Sequence, residues 1–173
     1  MLKDTLAVTE FVNADVIARG ISAFAPENVA IAAGRLMLSR LRELAQQRTS
    51  FAFETTLASR SFAPWIRHMV ETGYEFHLLF LWLPNPAFAA RRVADRVKMG
   101  GHAIPAEVIR RRYWSGLRNF FQIYIELATT WQFYDNSRGS SPRLIAHGHG
   151  NQTTTLLDAA LWEQVLVEAN RGA

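Results

Sequence analysis

Three features of the sequence predict an α/β fold with a mainly parallel sheet. Short apolar runs at Phe11–Asn13, Phe51–Glu54 and Glu75–Leu83 alternate with stretches of helical periodicity, the rhythm of βαβ units with right-handed crossovers. The third run, centred on His77-Leu78-Leu79-Phe80-Leu81-Trp82-Leu83, is apolar on both faces, as a strand with helices above and below it would be. The first two runs stop at polar side chains, Asn13-Ala14-Asp15 and Glu54-Thr55-Thr56. In an open α/β sheet ligands bind beyond the carboxyl ends of the strands, so both clusters are candidate site residues.

The elements follow in order. After Phe11–Asn13, Asp15 to Gly20 reads as a turn or short helix. Pro26 then occupies a favourable first helical position with Glu27 beside it, where fixed φ and an acid near the helix dipole both help. Val29, Ala33, Leu36, Met37, Leu41 and Leu44 continue at helical spacing, so an amphipathic helix over Pro26 to Gln46 is expected to lay this stripe on the sheet. Ser61 to Thr72 reads as a helix closed by Gly73, which tolerates the left-handed conformation at a helix end. Pro84 and Pro86 stop the third strand. Ala87 to Lys98 is predicted as a helix, Met99-Gly100-Gly101-His102 as a hinge, and Pro105 to Ala128 as a long helix. Two final strands, Trp131–Tyr134 and Arg143–Ala146, are joined by the turn-rich residues 136–142, and Leu156 to Ala169 closes the chain as a helix.

At 173 residues the chain fits one domain, 1–173, with one core, and its 49% hydrophobic and 20% charged content excludes a disordered chain and a coiled coil. Cysteine is absent, which excludes disulfides, thiolate metal sites and a cysteine nucleophile. Early acids (Asp4, Glu10) and the lack of a long apolar run argue against a signal peptide, and the apolar segment His77 to Pro86 is too short for a membrane-spanning helix. A cytoplasmic location without membrane contact is the expectation. The net charge of +4 is uneven: residues 91–118 hold eight Lys/Arg against two acids, a net of +6, leaving −2 for the rest. Such a patch favours an anionic partner, phosphate groups or nucleic acid.

Several motifs in order, FVNAD at 11–15, FAFETTLAS at 51–59, Leu81-Trp82-Leu83-Pro84, RVADRV at 92–97, Gly100-Gly101-His102, Ile109-Arg110-Arg111-Arg112-Tyr113 and Tyr134-Asp135-Asn136-Ser137, resemble the zeta toxin family of P-loop kinases from about Phe11 to Gly148. The resemblance implies a three-layer adenylate-kinase-like sandwich and transfer of the γ-phosphoryl of ATP, held with Mg²⁺, to a hydroxyl on a small molecule, a UDP-amino sugar in the family's characterised toxins. By position, Asp15 would accept the hydroxyl proton, and Asn13, Glu54, Thr55, Thr56 and Arg60 would hold the acceptor. Arg92, Arg96 and Arg112 would stabilise the transferring phosphoryl as catalytic cations, while Arg110, Asp135, Asn136 and Ser137 would bind the nucleotide. No protein ligand to a metal is assigned. An antitoxin protein is the candidate partner implied, and nucleic acid is not the expected one.

The family begins with a strand and G-x-x-x-x-G-K-[ST], whose amides and lysine cradle phosphates. Only ten residues precede Phe11 and none is glycine; Lys3-Asp4-Thr5 puts an acid where the Mg²⁺-binding hydroxyl belongs. The expectation is therefore a domain lacking its first central strand, which would lie between the strands ending at Glu54 and Leu83, with weak or absent ATP turnover. The rival reading is a non-catalytic remnant, or a basic module whose +6 segment binds nucleic acid or an acidic protein.

Plainer alternatives accompany each assignment. Asp15 could be a helix N-cap, Glu54 a strand-end carboxylate facing water, and Arg110–Arg112 a solvated helix face of which at most two residues address one site. His147-Gly148-His149-Gly150 reads as a loop rather than a metal site, and Trp114, Phe120, Phe121 and Tyr124 as helix packing rather than a base-stacking platform.

Overall fold

The computed structural model describes residues 8–22, 26–98, 103–138 and 141–171. Chain packing divides them into two compact units, one containing residues up to Thr55 with Arg96–Ala103, the other Thr56–Asp95 with the rest of the chain from Ile104.

In the first unit β1 (Glu10–Val12) and β2 (Phe51–Phe53) form a parallel two-stranded sheet, with Phe11 opposite Ala52. The ladder runs one step further, because the Glu54 amide donates to the Val12 carbonyl. Asn13 ends β1 by capping α1 (Ala14–Ile21), which settles the expected turn or short helix as a short helix. A 3₁₀ turn, Pro26–Val29, leads into α2 (Ala30–Gln46), whose Ala33, Met37, Leu41 and Leu44 are buried as the periodicity predicts. Leu36 departs from the stripe and is 52% exposed: one residue before Met37, it lies 100° around the helix from the buried face. Arg40 ties α2 to β1 by pairing with Glu10 at 2.9 Å and with Glu43 at 3.0 Å.

The second unit is built on a four-stranded sheet ordered β3 (His77–Trp82), β4 (Thr130–Asp135), β5 (Arg143–His149), β6 (Gln152–Leu156). β3 and β4 are parallel; β5, an expected strand, and β6, which the sequence reading did not anticipate, add antiparallel neighbours. The predicted loop at His147–Gly150 is the end of β5 and its turn, and Leu156 belongs to β6 rather than to the closing helix. That helix, α6 (Ala159–Arg171), starts where the Asp158 carboxylate accepts the Leu161 amide. Helices α3 (Phe62–Glu71) and α4 (Pro86–Lys98) lie close to their expected bounds, and Gly73 follows α3 with φ +96°. The long helix is interrupted: α5 (Ala106–Asn119) passes through a π-helical turn, Phe120–Tyr124, before a last turn at Ile125–Leu127. The predicted hinge at Met99–His102 lies outside the described residues.

An aromatic core holds this unit together. Trp131 stacks on Trp162 of α6 with ring centroids 5.5 Å apart, and Phe120 meets Phe133 at 5.3 Å and Phe80 at 4.8 Å. Trp131, Phe133, Phe120 and Tyr124 are fully buried. β3 does not behave as a strand buried on both faces: Leu78 and Trp82 are buried, but Leu79 and Leu81 are 42% and 53% exposed. It is an end strand of its sheet, and the order implied by the resemblance puts a further strand on that side. Among the described residues no helix is long and apolar enough to cross a membrane.

Candidate functional site

Four of the expected site residues meet in the first unit. Asn13 has extended backbone (φ −134°, ψ 122°), and its Oδ1 accepts hydrogen bonds from the Asp15 amide at 2.8 Å and the Val16 amide at 3.2 Å. Asn13 is thus the N-cap of α1, and the plainer reading of Asp15 as the cap is overturned: Asp15 stands inside the first turn, two positions past the cap. The other end of the Asn13 amide donates from Nδ2 to Glu54 Oε2 at 2.7 Å. One side chain therefore joins the start of α1 to the end of β2. Arg96 from the last turn of α4 donates from Nη1 to Asp15 Oδ2 at 2.7 Å, while its buried Nε has no hydrogen-bond partner among the described residues. The result is a line of polar groups, Glu54, Asn13, Asp15 and Arg96, at the carboxyl ends of two parallel strands. Its two carboxylates are each oriented by a donor, and both side chains of the Asp15–Arg96 pair keep about two fifths of their surface in solvent.

Apart from Thr55, the remaining assignments fall in the second unit. Thr56 and Arg60 are exposed on the loop leaving β2, which turns through Leu57 at φ 54°. Asn119 of α5 lies beneath it, 2% exposed, donating from Nδ2 to the Leu57 carbonyl at 2.8 Å and the Ala58 carbonyl at 3.2 Å. Its Oδ1 accepts from Arg60 Nε at 3.3 Å, and the Tyr124 hydroxyl donates to the Ser59 carbonyl at 2.5 Å. Burial raises the Tyr124 pKa, so the phenol stays a donor. Gly116 completes the fit: a Cβ there would sit 2.3 Å from the Thr56 carbonyl oxygen, so only glycine allows this approach.

Arg92 donates from Nη2 to the Asn136 carbonyl at 3.0 Å, joining an expected catalytic cation to a residue expected at the nucleotide, and with Arg91 it lies over the Phe88 ring. Asp135 is 5% exposed and serves its own turn: Oδ1 accepts the Ser137 amide at 2.9 Å, and Arg143 lies 3.6 Å from Oδ2. Arg143 also pairs with Asp158 at 2.9 Å. Arg110, Arg111 and Arg112 are all exposed on α5. Thr55 is half-buried at the end of β2.

No role was assigned from sequence to Gly116, Asn119, Arg143 or Asp158, and Tyr124 was read only as packing. A signal existed for Asp158, a cap residue ahead of a periodic run. For Asn119 there was none, because a polar residue mid-helix looks the same whether it faces solvent or a carbonyl. The loops that lead from β1, β2 and β3 into their helices hold no glycine and no lysine. They do not offer the glycine-and-lysine cradle that holds nucleotide phosphates in P-loop kinases.

This is an α/β protein with polar groups clustered at the ends of parallel strands. The family model for the zeta toxin matches residues 15–138, and the chain belongs to that family. A protein of Haemophilus influenzae is 29% identical over 107 residues, covering 62% of this chain and 76% of its own. A solved structure from the PezAT chromosomal toxin–antitoxin system of Streptococcus pneumoniae superposes on 99% of this chain and 77% of its own length with a TM-score of 0.59 at 12% identity, a likeness of fold.

Proposed function

We propose that the chain is the acceptor-binding part of a zeta-toxin-like phosphotransferase acting on a hydroxyl of a small molecule, with a UDP-amino sugar as the first candidate. The observation that supports this reading is the Glu54–Asn13–Asp15–Arg96 line, which presents a hydroxyl-orienting carboxylate, a proton-accepting carboxylate and a cation at one sheet end. Glu54 would orient the acceptor and Asp15 would take the hydroxyl proton, while Arg96 would turn from Asp15 toward developing negative charge. ATP would supply the phosphoryl group. Since the described loops offer its phosphates no cradle, the isolated chain is expected to turn over ATP weakly or not at all. An antitoxin is the proposed protein partner, by analogy with the system of the solved relative.

Calorimetric titration with UDP-N-acetylglucosamine tests the acceptor assignment. The expected outcome is binding by the wild type, a loss of at least about tenfold in Glu54→Ala, and retention in Asp15→Asn, which keeps shape but not basicity. Absence of wild-type binding, or an unchanged Glu54→Ala, removes the reading. Strong ATP-dependent transfer abolished by Asp15→Asn would instead overturn the expectation of weak turnover.

A further inference from the structure

We propose that Asn119 is a positioning residue that presents Arg60 as a fork for an anionic, phosphate-like group of the ligand. The inference rests on the acceptor-site reading for the identity of that ligand, but not for the geometry. Asn119 belongs to no motif and lies under the loop rather than on it. Its amide is fully used: both N–H groups serve the Leu57 and Ala58 carbonyls and its oxygen serves Arg60 Nε. A buried amide with every group satisfied fixes its partners as much as they fix it.

The consequence for Arg60 is specific. Its Nε, the one donor that cannot rotate independently of the stem, is held from below, and the side chain is exposed. The guanidinium has no other hydrogen-bond partner among the described residues. Both Nη groups are left for a ligand, the arrangement in which arginine binds phosphate or carboxylate through two parallel bonds. Holding the fork in place beforehand lowers the ordering cost that a free arginine would incur on binding.

The loop backbone is over-determined in the same way. Leu57 sits at φ 54°, a region a branched residue enters only when its surroundings require it. Three residues of α5 and its π-turn impose it: Gly116 under Thr56, Asn119 under Leu57 and Ala58, and Tyr124 under Ser59. In a regular α-helix, residues five apart point about 140° from one another. The π-turn closes with the Ile125 amide on the Phe120 carbonyl, and this wider turn brings Asn119 and Tyr124 toward one face, where both reach the same loop.

The test uses the full chain and begins without a ligand. In arginine side-chain NMR the Arg60 Nε–H should be a distinct, slowly exchanging signal in the wild type and should merge with the exposed arginines in Asn119→Leu. Asn119→Asp keeps an acceptor but loses the amide donors. There the Arg60 signal should persist while the Leu57–Ser59 amides lose protection, and this variant decides the matter if the leucine protein does not fold. Inorganic pyrophosphate is then titrated. Arg60→Ala and Asn119→Leu should each weaken it by about tenfold, and the double variant by no more than either alone, since both remove one oriented fork. Additive losses, a wild-type Arg60 signal in Asn119→Leu, or no pyrophosphate binding by the wild type would overturn the proposal. Pyrophosphate binding without UDP-sugar binding would support the fork and remove only the acceptor reading.

Discussion

The two units reach order by different means. The first has two three-residue strands, and its line of candidate site residues is joined by side-chain hydrogen bonds among half-exposed groups. The second has a sheet of four strands closed by buried, stacked aromatic rings. Aromatic burial is worth several kcal/mol per side chain, whereas exposed ion pairs are worth at most about 1. The stability of the molecule is therefore concentrated in the second unit, and the Asp15–Arg96 pair of the first can be rearranged by a ligand at small cost.

Substitutions on either side of that contrast should separate cleanly. Trp131→Ala removes a fully buried ring stacked on Trp162 and should cost about 3–5 kcal/mol, measured by urea unfolding. Gly116→Ala comes next. Its Cβ would meet a backbone oxygen that cannot move without shifting the Thr56–Arg60 loop, so a loss of about 1–3 kcal/mol is expected, together with loss of the Arg60 NMR signal. A Gly116→Ala protein as stable as the wild type would mean that α5 does not hold the loop.

In the first unit the effects should be smaller. Asn13→Ala removes the α1 cap and the bond to Glu54, and about 1 kcal/mol should be lost. Asp15→Asn should change stability by less than about 1 kcal/mol, because the Asp15–Arg96 pair is partly exposed to solvent. A loss as large as that of Trp131→Ala would show that the site pair is a structural support, and would break the contrast between the units.

Parts of each unit could be read from the sequence, though one domain with one core was expected. The strand ends at Asn13 and Glu54 were legible because apolar runs stop there at polar groups, and the family motifs named both. The stripe Ala33, Met37, Leu41, Leu44 followed from periodicity alone. β6 escaped because Gln152-Thr153-Thr154-Thr155 offers no apolar alternation: it is an exposed end strand in which only Thr155 of the four is even half-buried. A cue existed, Gly150-Asn151 between the paired residues His149 and Gln152, the dipeptide length of a tight hairpin. The π-turn and the Asn119 clamp were not legible, since hydrogen bonds from a helix to a distant loop leave no local pattern. Asp135 was legible only through its motif; that the fold buries its carboxylate against its own turn and Arg143 left no local cue.

The smallest expected effect concerns the junction between β5 and α6. The Leu161 amide and then the Arg143 guanidinium hold the Asp158 carboxyl below its ordinary pKa. A depressed folded-state pKa contributes stability that is present above the unfolded value and is lost as pH falls through the folded one. The contribution should therefore disappear below about pH 4, where free aspartate protonates. Asp158→Asn separates the two causes, because asparagine caps a helix as well as aspartate does but carries no charge toward Arg143. The variant should melt near the wild type at pH 3 and slightly below it at pH 7, with a flatter acid limb. Parallel acid limbs would place the pH response of this unit elsewhere and leave Asp158 as a neutral cap.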